Sequence, residues 1–227
     1  MMTSTRLFSV LAAATLVLGT GGLLGARVQA AEAPAKAPPP QVRVTTTMGS
    51  FVIELYPDRA PITVAEFLRY VKEGQYTQTL FHRVIPGFLI QGGGFSPDGT
   101  SKPTHGVVVN ESGNGLQNKR GWVGLARTEA PHSGNCQFFI NLADNPELDP
   151  LPVRWGYAVF GRVIDGMDVV DRISLVATGE VGKFKSDAPL TPVIIQKVEL
   201  LGAGTVKQDL PQQLAPAPTG NEVLSPN

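Results

Sequence analysis

A chain of 227 residues has room for one medium-sized domain plus extensions. Its 42% hydrophobic and 17% charged residues suit a protein with a packed core and exclude a wholly disordered one. Lys and Arg number 19 and Asp and Glu 19, so no basic excess points to nucleic acid or to an anionic membrane surface.

The first elements are not part of a fold. Met1 to Arg6 is short and carries one positive charge, Leu7 to Ala26 is uncharged and mostly apolar, and Val28-Gln29-Ala30 offers small residues where a signal peptidase reads. Residues 1–30 read as an export signal cleaved after Ala30, which sends the protein to the periplasm or outside the cell. The alternative is an uncleaved anchor facing the periplasm, because an uncharged run of this length can span a bilayer; Gly19, Gly21, Gly22 and Gly25 weaken it. Loss of Arg6 and Arg27 leaves 17 of the 19 basic residues against 19 acidic ones. The one cysteine, Cys136, cannot form an internal disulfide, so stability in an oxidising compartment must come from the core. Residues 31–41 form an Ala/Pro-rich, extended linker.

A folded domain is expected over 42–202. Val42–Thr46 and Phe51–Tyr56 read as strands joined by a tight turn at Met48-Gly49-Ser50. Pro61–Tyr70 reads as a helix, with Pro61 in its first turn, Val64, Phe67, Leu68 and Val71 on one face, and Gly74 as its stop. Strand-like runs follow at Phe81–Ile85, Phe88–Gln91, Trp122–Ala126, Gln137–Leu142 and Tyr157–Ile164, each bounded by Gly, Pro, Asn or Asp. A second helix is expected from Met167 to about Val176, then a closing strand over Val193–Leu201. Residues 203–227 are polar and Pro-rich and are expected to be disordered. Eight strands and two helices predict a mainly β fold, a closed eight-stranded antiparallel β-barrel capped by two α-helices, in which closure removes exposed edges.

Several kinds of chemistry lack their residues. There is no G-x-S-x-G nucleophile, Cys136 opens an apolar run, and His82, His105 and His132 are too dispersed for a zinc site. Gly92-Gly93-Gly94 lacks the G-K-[ST] ending of a phosphate loop. No metal and no cofactor are expected. What remains is a constellation without a proton carrier: Arg83 on a strand, Phe88, Leu89 and Gln91 after the following turn, and a second cluster from Gly121 to Asn141. A strand Arg either points to solvent or lines a pocket. In the second cluster, alternation puts Gln137 and Phe139 on one face and Phe138 and Ile140 on the other. Either one face fills the barrel while the other builds an outer pocket, or all four are core.

Three motifs bear on that choice. F-H-R-V-I-P-G-F-L-I-Q-G-G-G (81–94), G-L-A-R (124–127) with Q-F-F-I-N (137–141), and Y-A-V-F-G-R-V-I-D-G-M-D-V-V-D (157–171) occur in order. Together they resemble the signatures of the cyclophilins, the peptidyl-prolyl cis–trans isomerases, over Val42 to Leu201, and most closely the bacterial periplasmic branch. The resemblance implies Arg83 as the catalytic arginine. It implies Phe88, Leu89, Phe139 and Leu148 as walls of a proline pocket, and Gln91 and Gln137 as polar groups that position a peptide. It implies Ala126 and Arg127 as a ledge whose main chain binds that peptide. Tyr157 stands where many eukaryotic members carry a pocket His, and keeps a ring wall with a polar tip. Glu147 stands where they carry a Trp, so weak cyclosporin binding is expected, although Trp155 in the unmatched Pro150–Trp155 stretch is a possible substitute. The implied function is acceleration of X-Pro isomerisation by a monomer during the folding of exported, proline-containing polypeptides. The alternative is a non-catalytic proline-peptide chaperone or envelope scaffold using the same pocket.

Overall fold

The computed structural model describes residues 38–202. The expected signal, residues 31–37 of the linker, and the tail lie outside them.

Ten strands and two helices follow in order: β1 (Gln41–Thr46), β2 (Gly49–Leu55), α1 (Pro61–Lys72), β3 (Thr79–Ile85), β4 (Leu89–Gly92), β5 (Trp122–Leu125), β6 (Phe138–Asn141), β7 (Val159–Asp165), α2 (Met167–Ser174), β8 (Thr178–Val181), β9 (Phe184–Pro189) and β10 (Ile194–Leu201). Eight strands close into an antiparallel barrel in the order β1-β10-β3-β4-β6-β5-β7-β2, as expected, and β8 and β9 form a separate hairpin. The hairpin was not expected from the sequence. The fold starts at Gln41, one residue early, and the β1–β2 turn is Thr47-Met48, because Thr46 pairs with Gly49. Helix α1 runs one half-turn past Tyr70 to Lys72, and Gly74 closes it at φ +69°.

The barrel fills because strand alternation is respected. Val84, Ile90, Ile140 and Val123 are directly opposed across β3, β4, β6 and β5 and are fully buried. They join Phe51, Ile53, Phe67, Phe81, Phe138 and Phe160 in one interior cluster. The apolar stripe of α1 covers one end: Phe67 lies 5.8 Å from Phe138 edge-on and 5.1 Å from Phe160. Each such side chain contributes roughly 1.5–3 kcal/mol by leaving water.

One irregularity decides which way the neighbouring arginine points. Strict alternation along β3 would put Phe81, Arg83 and Ile85 on one face. The ladder pairs Phe81 with Gly92 but Arg83 with Gln91, so His82 is an extra residue, a β-bulge. The bulge lets both Phe81 and Val84 face the interior, and it sends Arg83 to the outer face.

Candidate active site

The outer face of the same four strands carries a second row in register. Arg83 opposes Gln91, Gln91 opposes Phe139, and Phe139 opposes Gly124. Leu89, Ala126, Phe139, Leu148 and Tyr157 form a buried apolar cluster separate from the barrel core, with Phe88 packed against its rim. Phe138 and Ile140 belong to the interior cluster and Phe139 to the outer one, so one face fills the barrel and the other packs outside it, and the four are not one core.

Local sequence explains how each wall is placed. Pro86-Gly87 makes the β3–β4 turn, with Gly87 at φ +73° and Phe88 N–H donating to Ile85 O at 3.1 Å. Phe139 lies flat over Gly124, where an added Cβ would meet the ring Cζ at 2.3 Å. Only glycine leaves space for that ring. Tyr157 meets Phe139 edge-on at 5.8 Å. Leu148 ends a 3₁₀ turn (Pro146–Leu148), and its carbonyl accepts the Tyr157 N–H at 2.9 Å.

The polar groups are equally constrained. The Arg83 side chain is only 14% exposed, so it does not face bulk solvent. Burial pulls its pKa down, opposed by the Asp187 carboxylate, whose Oδ2 lies 3.8 Å from Nε, and by Tyr157. Asp187 comes from the β8–β9 hairpin and is one of two described non-glycine residues with positive φ, at +56°. Gln91 Nε2 donates to Gln137 Oε1 at 3.0 Å, while the buried Gln91 Oε1 has no hydrogen-bond partner among the described residues. Burial raises the Tyr157 phenol, partly offset by the Arg127, Arg154 and Arg83 charges.

Arg127 gives the clearest addition to the sequence reading. Its guanidinium is buried and donates to the carbonyls of Thr128, Glu129, Trp155 and Gly156 at 2.8–3.2 Å, and lies 4.4 Å from the centre of the Tyr157 ring. The side chain therefore clips the ledge to the loop behind it. The Ala126 N–H donates to Gln137 O at 2.9 Å, which removes that amide from what the ledge can offer a peptide.

Two supports of the site leave no mark in the sequence. Asp187 has no local signal beyond the tolerance of Asp for the left-handed region. Buried amides link Asn118, Asn141 and Asn145, and Asn145 Nδ2 also donates to Phe88 O at 3.0 Å, fixing the pocket rim from below. Asn141 sits in the Q-F-F-I-N motif, but its partners are 23 and 4 residues away, beyond what spacing reveals.

An apolar cluster beside a sheltered cation suits conformational rather than covalent chemistry. The family model of the cyclophilin type peptidyl-prolyl cis-trans isomerases matches residues 41–200. The chain belongs to the cyclophilin family. Peptidyl-prolyl cis-trans isomerase B of Escherichia coli is 51% identical over 156 residues, covering 67% of this chain and 94% of that protein. Peptidyl-prolyl cis-trans isomerase A of Dickeya dadantii is 47% identical over 160 residues, covering 70% and 84%. Among solved structures, a cyclophilin type isomerase of Cryptosporidium parvum matches with a TM-score of 0.59 at 28% identity, over 72% of this chain and 98% of that one. This cyclophilin is accordingly a peptidyl-prolyl cis–trans isomerase, and proline-containing peptides are its substrate class.

Proposed function

We propose that this isomerase serves the folding of exported proteins, and that Arg83 lowers the barrier by hydrogen bonding to the prolyl nitrogen of the twisted transition state. A prolyl bond turns slowly because its C–N bond has partial double-bond character, with a barrier of about 18–20 kcal/mol. At the top of that barrier conjugation is lost, and the nitrogen lone pair becomes able to accept a hydrogen bond that the planar amide cannot. A donor waiting there binds the transition state better than the ground state, as catalysis requires. Arginine suits the task because it stays charged and presents fixed donors.

The observation that carries this reading is the outer row itself: a guanidinium only 14% exposed, in register with Gln91 and through it with Phe139. Phe88, Leu89, Phe139, Leu148 and Tyr157 hold the proline ring while the preceding carbonyl swings. Gln91 Oε1 supplies an acceptor for a peptide N–H, and Gln137 holds the Gln91 amide in place. The apolar walls exclude water and so strengthen the Arg83 contact. Acceleration between a hundredfold and a millionfold asks about 3–8 kcal/mol of this arrangement.

Export rests on the N-terminal pattern of Arg6, the apolar run Leu7–Ala26 and Val28-Gln29-Ala30. Cyclosporin binds weakly on this reading, because Glu147 stands where an indole would be. The functional test is refolding of a protein whose slow phase is prolyl isomerisation. Catalytic amounts of this cyclophilin should shorten that phase, and the exported chain should begin at Ala31. An unchanged slow phase, or a retained Met1, contradicts the respective half of the proposal.

A further inference from the structure

Between the two pocket walls Leu148 and Tyr157 the chain makes an excursion. The Tyr157 N–H to Leu148 O bond closes its base, and Leu151 and Arg154 exchange both backbone hydrogen bonds, at 2.9 and 3.0 Å, around Pro152-Val153. Its returning arm is tied down by hydrogen bonds. Arg127 grips the Trp155 and Gly156 carbonyls, Asn110 Nδ2 donates to Gly156 O at 3.0 Å, and Gly156 N–H donates to Ser112 Oγ at 3.2 Å. A Cβ on Gly156 would fall 2.4 Å from Pro150 N, so only glycine lets the two arms approach.

What this scaffold presents is apolar. Val153 is 94% exposed, Leu151 54% and Trp155 46%, three large hydrophobic residues within five positions. Arg154, the only charged residue from Pro150 to Trp155, turns its guanidinium back onto the Glu147 and Asp149 carbonyls at 2.6 and 3.3 Å. Beneath the tip lies a recess of about 390 Å³ between the loop and Ser112-Gly113. An exposed apolar patch marks a contact surface, and an exposed Trp is a favoured anchor of such contacts.

We propose that the Pro150–Trp155 excursion extends the substrate site, taking an apolar side chain of the extended client next to the X-Pro pair, so that this isomerase prefers prolines embedded in hydrophobic stretches. The inference rests on the pocket being the isomerase site. The excursion springs from that site: Leu148 and Tyr157 at its base belong to the outer apolar cluster, and Arg127, over the Tyr157 ring, holds the Trp155 carbonyl. Such a flank is the chemistry of a not-yet-folded core segment, and a folded protein hides it. The contact adds binding without touching the bond that turns, so it acts through kcat/KM on long substrates.

The test uses the full chain, wild type and a Leu151→Ser/Val153→Ser double variant, on two X-Pro peptides differing only in apolar (Leu, Phe) or polar (Ser, Gln) flanks. Wild type should favour the apolar flanks by about tenfold in kcat/KM, and the variant should lose that preference while turning over the polar-flanked peptide like wild type. Equal preference in both proteins overturns the inference while leaving the isomerase intact. No turnover of any peptide by wild type removes the isomerase reading, and this inference with it. A second readout needs no loop variant of doubtful folding: Trp155 is one of two tryptophans, so the apolar-flanked peptide should blue-shift its emission, and an unshifted spectrum at saturation counts against the inference. Sedimentation of the free protein completes the test. A dimer abolished by the double variant would show that a second copy, not a client, covers the patch.

Discussion

The carboxylate of Asp187 stands 3.8 Å from Nε of Arg83, carried there by a residue at φ +56°. A non-glycine residue in the left-handed region costs of order 1 kcal/mol, and Asp bears it better than most. The hairpin thus brings a counter-charge to a guanidinium that burial would otherwise penalise. On this account Asp187 is a positioning residue for Arg83. Asp187→Asn keeps the backbone tolerance and removes the charge, and should lower kcat about three- to tenfold with KM little changed and the melting temperature nearly intact. Wild-type kcat in a folded Asp187→Asn protein would show that Arg83 needs no such partner.

Gly124 and Phe139 make a second pair. Because a Cβ would meet the Phe139 ring at 2.3 Å, Gly124→Ala must tilt the ring into the pocket. Overpacking of this kind costs about 1–3 kcal/mol, which urea unfolding measures. The fold should survive, since the ring lies outside the barrel core, and kcat/KM should fall by about tenfold or more. A variant destabilised but fully active would mean that the proline pocket is not built on that ring.

Legibility followed the range of the forces. The eight barrel strands and both helices were readable because alternation and the 3.6-residue stripe are local consequences of which face is buried, as in Val64, Phe67, Leu68 and Val71. The Phe138/Phe139 divide was visible as a pattern, and only the closed barrel could say which face was inside. The β8–β9 hairpin was not readable. Its strands carry few apolar residues, and it docks through Phe184, which packs 5.1 Å from Phe95 and 5.5 Å from His82. The bulge at His82 left no mark either, because every residue of Phe81–Ile85 suits a regular strand. The motif marks Arg127 only as part of the ledge, while its side chain bonds carbonyls as far as 29 residues on.

His82 sets a pH dependence of stability. Its ring is buried 4.6 Å from Phe95, and burial, aided by the Arg83 charge, lowers its pKa from 6.5 to about 3. The folded protein therefore holds His82 neutral where the unfolded chain protonates it. The contribution is fully present above pH 6.5 and is lost as pH falls toward 3, at about 1.4 kcal/mol per unit. Unfolding measured between pH 7 and about 5, above the main carboxylate range, should show this slope in wild type and lose it in His82→Leu. A slope unchanged by that substitution would place the titrating group elsewhere.

Turnover should behave differently from stability. Arg83 stays cationic, and burial raises the Tyr157 phenol above its ordinary value. With no general acid or base in the reaction, kcat/KM from about pH 6 to 9 should vary less than about twofold. A bell-shaped profile in a protein still folded would reveal a proton carrier among the pocket residues.

The most direct measurement is kcat/KM on a short X-Pro peptide for wild type, Arg83→Lys and Arg83→Ala, each verified as folded. A guanidinium that bonds the prolyl nitrogen only in the transition state predicts a loss of about a hundredfold or more for Arg83→Ala, with Arg83→Lys between, its point charge replacing a fixed fork of donors. Near-wild-type turnover by folded Arg83→Ala would mean that the pocket alone turns the bond.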